Sequence, residues 1–334
     1  MAISVVKAGL LDTIQDMGRN HAGNLGVNPG GAMDPYAARV ANMLVGNCGT
    51  EAILEMHFPG PQILFEQNAL IAVTGADFTP MLDDQPIPLW QPIVMRKNTV
   101  LHFPKLKKGA RCYLSIHGGF YVEPWLNSYS TNLKAGAGGL EGRQLRKGDS
   151  LTARESFIYF AGLLKQDRNV RILPWRADPE KTYRLPNEIF VVEGNEWKQL
   201  KASSQREFFE NNFTVHPLSD RMGYHLKGAD VELLQKFDLI SSAVSFGTVQ
   251  LLRSGQLVIL MADHQTTGGY PRLAHVVSAH LPKLAQLRAS DALQFSVTDI
   301  QSAESMLADQ EKELQILRRS CIDRLNELVC TVST

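Results

Sequence analysis

The chain has 334 residues, of which 44% are hydrophobic and 20% are charged, a composition typical of a folded globular protein rather than a disordered one. Lysine plus arginine and aspartate plus glutamate both number 34, so the formal net charge is zero and gives no electrostatic argument for binding nucleic acid or an anionic membrane. Residues 1–7 lack the layout of a signal peptide, and no apolar run approaches the roughly 20 residues that cross a bilayer. We therefore expect a cytoplasmic protein, long enough for two domains.

The cysteines give no sign of a disulfide framework or a zinc site. They are scattered, at Cys48, Cys112, Cys321 and Cys330, and none forms a Cys-x-x-Cys pair. The nine histidines also lack metal-ligand spacing such as His-Glu-x-x-His. We expect reduced thiols and no metal site.

Most of the chain has the pattern of β structure. Short apolar or alternating runs stand between clusters of Gly, Pro, Asn and Asp, which predicts strands. These runs lie at residues 62–65, 70–74, 92–95, 99–103, 111–116, 189–193 and 256–261. Their spacing predicts a sandwich or barrel rather than a βαβ alternation.

Helical patterns are fewer. Residues 34–45 predict a helix with Asp34 as N-cap and Pro35 at the first helical position. Short helices are also predicted within 204–211 and 274–289.

The end of the chain predicts a long helix. Residues 298–301 have the form of a capping box, and a helical pattern then runs to about Leu328, roughly 45 Å in length. Apolar residues recur every seventh position from Leu307. The helix either packs on the body of its own chain or serves as a partner or dimer helix, because too few heptads exist to predict a coiled coil.

Two segments half a chain apart resemble each other. Residues 109–120 and, later, 255–270 each run from a strand through a double glycine to an aromatic, and each is followed by a turn into another strand. Prolines interrupt regular structure between 164 and 187. We predict an N-terminal domain at 1–165, a C-terminal domain at 187–298 and a C-terminal helix at 299–330.

Two loops set an acid close to an arginine beside a glycine. In the first, Asp16 and Arg19 follow a short apolar strand, and Arg19 could hold a carboxylate or phosphate in a bidentate fork. An internal Asp16–Arg19 pair that closes the turn is an equal alternative. In the second, Asp220 and Arg221 are adjacent and precede Tyr224; the pair is either a surface ion pair of little energetic value or an element that orients a polar ligand.

The densest polar loop follows the apolar run at 257–260. It contains the candidate binding residues Asp263, Gln265, Thr266, Thr267, Gly268, Gly269 and Tyr270. The glycines permit a close approach of another group, and a strand that ends in such a loop is typical of a binding site. The alternative is a polar turn between strands. His117 and His264 each lie beside a glycine-rich loop, although a lone histidine is more often structural than catalytic.

The sequence favours structural roles for three further loops. The turn-rich loop at 26–34 leads into a helix, and Asp34 occupies the N-terminus of that helix as a cap. Residues 74–77 are a common kind of strand end, and the glycine-rich stretch at 134–143 predicts a hairpin loop. The last of these does not match a Walker A or dinucleotide-binding pattern.

Together these loops resemble one family, variously called allophanate hydrolase subunit 2, the biotin-dependent carboxyltransferase family, KipA or the C subunit of 5-oxoprolinase. The matching pieces occur in the family's order, at residues 13–19, 31–34, 42–47, 54–55, 60–61, 74–77, 118–119, 128–131, 139–149, 219–224 and 261–271. One departure is visible. Where the family usually reads Gly-Val-Pro-x-Ser-Gly, this chain has Gly-Val-Asn-Pro-Gly-Gly at 26–31, so Gly30 replaces a serine.

The resemblance implies a mainly β fold of two cyclophilin-like β-barrel domains with short helices and a long C-terminal helix. It implies a KipI-like partner, equivalent to the B subunit of 5-oxoprolinase, together with a third partner, the A subunit. The implied reaction is ATP-dependent opening of 5-oxoproline to glutamate at a composite site. On this view Asp16, Arg19, Asp220 and Arg221 are the catalytic candidates. The substrate-binding candidates are Asp263, Gln265, Thr266, Thr267, Gly268, Gly269, Tyr270, Tyr224 and His117.

Two other functions remain open at this point. The chain could be a carboxyltransferase subunit that acts with biotin carried by another protein, because it has no Met-Lys-Met biotinylation site of its own. It could also be a non-enzymatic regulator that binds a KipI-like inhibitor of a sensor kinase, since one fold surface can serve all three functions.

Overall fold

The structure, a computed structural model, describes residues 2–154, 164, 169–185, 187–235 and 238–332. The chain divides into two compact units. Unit 1 comprises Met1–Gly18, Asp34–Pro179 and Lys312–Thr334, and unit 2 comprises Arg19–Met33 and Glu180–Glu311. In this division residues 19–33 cluster with unit 2 and residues 312–334 with unit 1. The domain limits at 165, 187 and 298 stay a prediction, and the first lies outside the described residues.

Unit 1 is built mainly of strands, with a helix packed on the outer face of one sheet. Its elements are β1 (Ala2–Lys7), β2 (Asp12–Gln15), α1 (Pro35–Leu44), β3 (Ile53–His57), β4 (Gln62–Phe65), β5 (Ala69–Asp77), β6 (Met81–Leu82), β7 (Gln85–Pro86), β8 (Pro92–Met95), β9 (Thr99–His102), β10 (Lys108–Ile116), β11 (Phe120–Tyr121), β12 (Ser150–Ala153) and β13 (Val170–Ile172). In the described part of the chain they form two sheets, ordered β11-β12-β1-β4-β9-β6-β7 and β13-β8-β5-β10-β3-β2.

The two sheets of unit 1 share one apolar core. Ile63 and Phe65 of β4 point into this core and alternate with more exposed neighbours, as expected for a strand with one solvent-exposed face. Strand β5 instead has a run of buried residues, because α1 packs over it and over β10 on the side away from this core. Thr74 joins these layers by donating its hydroxyl to the carbonyl of Ala37, at 2.7 Å.

Unit 2 contains a closed barrel. Its elements are α2 (Glu180–Tyr183), β14 (Glu188–Glu193), α3 (Ala202–Glu210), β15 (Phe213–Val215), β16 (Gly223–Lys227), β17 (Ser242–Ala243), β18 (Thr248–Leu251), β19 (Leu257–Leu260), β20 (Thr267–Gly268), β21 (Arg272–Val276), α4 (Leu281–Ala285) and β22 (Ala292–Val297). The barrel order is β14-β21-β18-β19-β16-β15-β22, while β17 and β20 pair with each other. Apolar side chains from the barrel strands fill its interior, together with Met33 from the start of the chain.

The predicted strands are confirmed, with shifts of a few residues at their ends. The helix predicted at 34–45 is also confirmed: it is α1, and the Asp34 carboxylate accepts a hydrogen bond from the Ala37 N–H at 2.9 Å. Helix α3 confirms the one predicted at 204–211.

The short helix predicted within 274–289 is confirmed in part. Residues up to Val276 belong to strand β21, while a 3-10 turn at Ser278–His280 leads directly into a short helix, α4 (Leu281–Ala285). The apolar spacing of this segment is shared by a strand and a short helix, while His275, Val276 and Val277 favour extended structure and Pro282 fits only the first turn of a helix.

The long C-terminal helix is confirmed as α5 (Ile300–Val332). Its N-terminal cap is one residue later than predicted, because the Asp299 carboxylate, and not the Thr298 hydroxyl, accepts the Ser302 N–H at 2.8 Å. Leu314, Cys321 and Leu325 are buried, so this part of α5 packs on the body of its own chain. Self-association through exposed residues of the helix stays a prediction.

The mainly β fold with short helices and a long C-terminal helix is thus confirmed. The four cysteines are free in the structure. Within the residues that the structure describes, no helix has the length and apolar character needed to span a membrane.

Candidate functional site

Strand directions in the barrel bring several loops to one end of unit 2. Gly223 at the start of β16 pairs with Leu260 at the end of β19. The N–H of Gly247, just before β18, donates to the Leu260 carbonyl at 2.8 Å, and the Val276 N–H at the end of β21 donates to Gly247 at 2.9 Å. The loops at 216–222, 261–266 and 277–291 therefore leave the barrel at this end, which we call the loop end.

An arginine and a carboxylate are joined at the loop end. Arg221 donates from Nε to Oδ2 of Asp263 at 2.8 Å and from Nη2 to Oδ1 at 3.1 Å, which is a bidentate pair. The side chains are 7% and 14% exposed. The backbone holds the same two residues together, because the Asp263 N–H donates to the Arg221 carbonyl at 2.8 Å. The sequence placed both residues at the site but did not reveal that they pair.

The segment at 19–33 completes this arrangement. Arg221 also donates from Nη2 to the Gly31 carbonyl at 2.6 Å, and Asn28 donates from its side chain to the Asp263 carbonyl at 3.0 Å. Arg19 is 2% exposed, and its N–H donates to the Pro29 carbonyl at 2.8 Å. Sequence reasoning missed the roles of Asn28 and Gly31, because no local pattern links residues so distant along the chain.

The serine-to-glycine departure at residue 30 has a backbone explanation. Gly30 has a φ of +64°, in the left-handed region that side chains other than glycine rarely adopt. Glycine therefore suits the loop conformation found here, and no hydroxyl is offered at this position.

Asp220 and Tyr224 have hydrogen-bond partners of their own. The Asp220 carboxylate accepts the N–H groups of Met222 and Gly223, at 2.7 and 3.2 Å, and so closes its own turn at the surface. Tyr224 is 1% exposed within the barrel core, and its hydroxyl donates to the Leu287 carbonyl at 3.3 Å. These contacts indicate structural roles for both residues.

Asp16 is an internal anchor of unit 1. Its carboxylate accepts hydrogen bonds from the Ser128 hydroxyl at 2.7 Å, the Tyr129 N–H at 2.6 Å, the Gly18 N–H at 2.7 Å and the Ser130 hydroxyl. Four donors occupy the acceptor capacity of one carboxylate, so Asp16 fixes the conformation of residues 128–130.

His117, also in unit 1, is held by the backbone. Its Nδ1 lies 2.7 Å from the Val45 carbonyl, just after α1. A carbonyl can only accept, so Nδ1 carries a proton and donates to it.

The polar loop after β19 is held in two ways. His264 is 4% exposed and donates from Nδ1 to the Gln265 carbonyl at 2.6 Å, while burial lowers its pKa and keeps the ring neutral. Beyond it, Thr267 and Gly268 pair as β20 with β17. The Thr266 carbonyl accepts the Val244 N–H at 3.2 Å.

A buried amide lies beneath this loop. Gln250 is 2% exposed, and its Oε1 accepts from Nε2 of Gln265 at 3.4 Å. Its Nε2 would lie 2.6 Å from a Cβ added at Gly268, so a larger residue there would require the Gln250 side chain to shift. Thr267, Gly269 and Tyr270 remain exposed and are accessible to a ligand or partner. Sequence reasoning missed Gln250, because it lies inside an apolar strand pattern.

The chemistry of this loop end favours binding and orientation. It combines a neutralised Arg–Asp pair, a neutral histidine, two amides and exposed hydroxyl and aromatic groups. Among the residues that the structure describes, no group of three or more His, Cys, Asp or Glu side chains is arranged to hold a metal ion.

Comparison with known proteins identifies the family. The model of the carboxyltransferase domain, subdomain A and B, matches residues 25–297, which is most of the chain. The chain belongs to this carboxyltransferase family. It is 36% identical over 307 residues to the C subunit of 5-oxoprolinase from Haemophilus influenzae and covers 94% of that protein. It is 33% identical over 315 residues to the C subunit of 5-oxoprolinase from Escherichia coli and covers 97% of it.

A solved structure confirms the fold of this carboxyltransferase family member. The K. lactis urea amidolyase matches with a TM-score of 0.85 and 28% identity over 95% of this chain. The match spans only 20% of the urea amidolyase chain, so the shared part is one region of a much longer protein. The loops at 219–224 and 261–271 lie inside the region matched by the family model.

Proposed function

We propose that this chain is the C subunit of an ATP-dependent 5-oxoprolinase, which opens 5-oxoproline to L-glutamate with ATP hydrolysis. The observation that carries the proposal is the match to two proteins named as C subunits of 5-oxoprolinase, over 92% and 94% of this chain and nearly all of their own length. A match along both whole chains supports an equivalent subunit, whereas the urea amidolyase match covers a fifth of that protein.

The loop end supports a role in holding the lactam. The carbonyl and N–H of a lactam require one donor and one acceptor, and the side-chain amide of Gln265 offers both. Thr266 and Thr267 add hydroxyls, and Asp263 is held in place by Arg221. Such positioning is a large part of catalysis in phosphoryl transfer, the route by which we propose that the stable lactam is activated.

Two arginines of these loops are already paired with carboxylates. Arg221 is neutralised by Asp263, and Arg143 of the glycine-rich loop is bound by Asp149 and Glu141, each at 2.7 Å. We therefore propose that ATP is held largely by partner proteins, a KipI-like B subunit together with an A subunit. A cytoplasmic location, consistent with the free cysteines, belongs to the same proposal.

The test is reconstitution. The chain is co-expressed with the products of adjacent genes that are candidates for the A and B subunits, the complex is purified, and glutamate release from 5-oxoproline is measured with and without ATP. We expect release that requires all three proteins and ATP. An assembled complex that releases no glutamate from 5-oxoproline would contradict the proposal.

Two variants locate the binding loop. Gln265→Ala is expected to lower turnover at least tenfold, because it removes a donor and an acceptor near the ligand. Gln256→Ala, at an exposed position in the same unit, is the matched control and should retain full activity. Equal activity of both variants would place the substrate elsewhere.

A second function is favoured by the K. lactis urea amidolyase fold match. Under this proposal the chain would be a carboxyltransferase subunit that transfers a carboxyl group from biotin on another protein to a urea-like acceptor. Biotin-dependent carboxylation of urea by the purified complex, without lactam opening, would support this function over the first.

A further inference from the structure

One buried side-chain amide of the barrel has a donor that no group accepts. Gln250 lies in β18 between Val249 and Leu251, whose side chains fill the barrel core. Because successive side chains of a strand point to opposite faces, Gln250 lies on the outer face of the barrel. It is 2% exposed, and its Nε2 is buried without a hydrogen-bond partner among the residues that the structure describes.

The stability of the fold does not explain a glutamine at position 250. A buried donor without an acceptor destabilises the folded state. Methionine has a similar length and would fill the same space without a polar atom that needs a partner. An unsatisfied polar group in the interior therefore calls for an explanation in function.

Other polar groups on this face of the barrel are satisfied by local contacts. The Thr248 hydroxyl accepts the Ser245 N–H at 3.2 Å. Arg272, the register partner of Gln250 in β21, is paired with Glu196 through hydrogen bonds of 3.1 and 3.0 Å. The side-chain amide of Gln250 is instead directed to the polar loop after β19.

Gln250 contacts this loop through its side chain. Its Oε1 accepts a hydrogen bond from Nε2 of Gln265 at 3.4 Å. Gly268 lies against both amides, because a Cβ added there would be 2.6 Å from Nε2 of Gln250 and 3.4 Å from Nε2 of Gln265. A buried side chain that is anchored in a strand thus supports the loop from beneath.

The contact sets the orientation of the Gln265 amide. A primary amide has two N–H donors and one carbonyl oxygen. Gln250 takes one donor of Gln265 and leaves the carbonyl oxygen and the second N–H for a ligand. The Gln265 side chain is only partly buried, so a ligand can reach it from solvent.

An amide that is oriented in advance binds its ligand more tightly. A free glutamine side chain loses rotamer freedom when it is ordered by a ligand, and this loss weakens binding. Gln250 reduces the loss, because it holds Gln265 before the substrate arrives. The same contact also aligns the amide for the reaction.

We propose that Gln250 is a positioning residue, which orients the Gln265 amide toward the lactam of the substrate. The inference rests on the proposed function and adds to it a residue that does not touch the substrate. Gln250 acts through Gln265, so the effects of substituting the two residues should not be additive.

The kinetic test uses the assembled complex and Gln250→Met. We expect kcat/KM for 5-oxoproline to fall about three- to tenfold, the effect of one net hydrogen bond. In the Gln265→Ala background the same substitution should change kcat/KM by less than about twofold, because the group that it orients is gone. Gln256→Met, at an exposed position, is the matched control and should retain full activity. No loss in the wild-type background, or equal losses in both backgrounds, would overturn the inference.

A rescue variant and a melting temperature separate positioning from folding. Gln250→Glu keeps an acceptor oxygen at the same chain length and should keep kcat/KM within about twofold of wild type. Gln250→Met should unfold at the same or a higher temperature than wild type, because it removes an unsatisfied buried donor. A lower unfolding temperature for Gln250→Met, or a glutamate variant as impaired as the methionine variant, would show a structural role instead.

A further measurement does not depend on turnover. The side-chain amide signals of Gln265 in the NMR spectrum of the isotope-labelled full chain are identified by their loss in Gln265→Ala. We expect these signals to shift in Gln250→Met and to keep their positions in Gln256→Met. If the wild-type complex releases no glutamate, the proposed function fails, and the NMR spectrum still decides whether Gln250 holds Gln265: unshifted signals reject the positioning contact.

Discussion

Two loops of similar sequence, at 15–18 in unit 1 and 219–223 in unit 2, use their charged residues in opposite ways. In the first, Asp16 is buried and accepts four hydrogen bonds. In the second, Asp220 closes only its own turn at the surface, while Arg221 is buried and pairs with Asp263. Loops of the same kind thus give an anchoring carboxylate in one unit and an anchoring guanidinium in the other.

The difference shows that burial, rather than the motif, decides the role of a charged side chain. A buried carboxylate must be surrounded by donors, and Asp16 finds them in the backbone and hydroxyls of residues 128–130. A carboxylate at the surface can be satisfied by water, which leaves Asp220 available for a local turn. Substitutions in each loop can therefore break or sharpen the comparison.

The largest effect is expected at Asp16. Asp16→Ala would leave the hydroxyls of Ser128 and Ser130 and the Tyr129 N–H without their acceptor, and should lower the free energy of unfolding by about 3–5 kcal/mol. Urea denaturation measures this change. Asp84→Ala, at an exposed position of unit 1, should stay within about 0.5 kcal/mol of wild type. Similar small losses for both would show that Asp16 is not an anchor.

The next largest effect is expected at Arg221. Arg221→Met would leave the Asp263 carboxylate and the Gly31 carbonyl without their donor, and should cost about 3 kcal/mol of unfolding free energy. The double variant Arg221→Met/Asp263→Leu should recover part of the loss, because it also removes the stranded charge. A double variant no more stable than the single one would argue against a coupled pair.

The units should also respond in opposite directions to pH. In unit 1, burial raises the pKa of Asp12 from 3.8 to about 7. The folded state therefore holds this proton more tightly than the unfolded state, and stability is lost as pH rises from about 4 to 7. In unit 2, the pKa of His280 is lowered from 6.5 to about 4, so stability is lost as pH falls through that interval.

Each contribution should amount to at most roughly 3–4 kcal/mol over its interval, and a variant isolates each one. Asp12→Asn keeps an acceptor for the Gly9 N–H and should reduce the loss of stability as the pH rises toward 7. His280→Asn keeps an acceptor for the Phe190 N–H and should reduce the loss of stability as the pH falls. The measurement is the free energy of unfolding at several pH values. If this free energy depends on pH in both variants as it does in wild type, the assignment to Asp12 and His280 is contradicted.

Much of the fold follows from local sequence. The strand at 62–65 and the capped helix after Asp34 depend on alternation and on a single cap, which a short window contains. The helix predicted within 274–289 begins later than the segment does, because a strand and a short helix share its apolar spacing. The way in which the segment packs against the rest of the fold decides between strand and helix.

Long-range contacts explain why only part of the candidate site could be predicted. Arg221 and Asp263 stand out as charged residues beside glycines and strand ends, but their pairing with Gly31 depends on closing a barrel.

The smallest expected effect is at Asp220, and it tests the surface half of the comparison. Asp220→Ala removes the acceptor for two N–H groups at the surface, where water replaces it, so the loss of unfolding free energy should be about 0.5–1 kcal/mol. Asp220→Asn keeps an acceptor oxygen and should restore most of this stability. If the asparagine variant instead folds normally but loses turnover, the charge of Asp220 acts on the substrate, and the two loops are closer in function than their hydrogen bonds indicate.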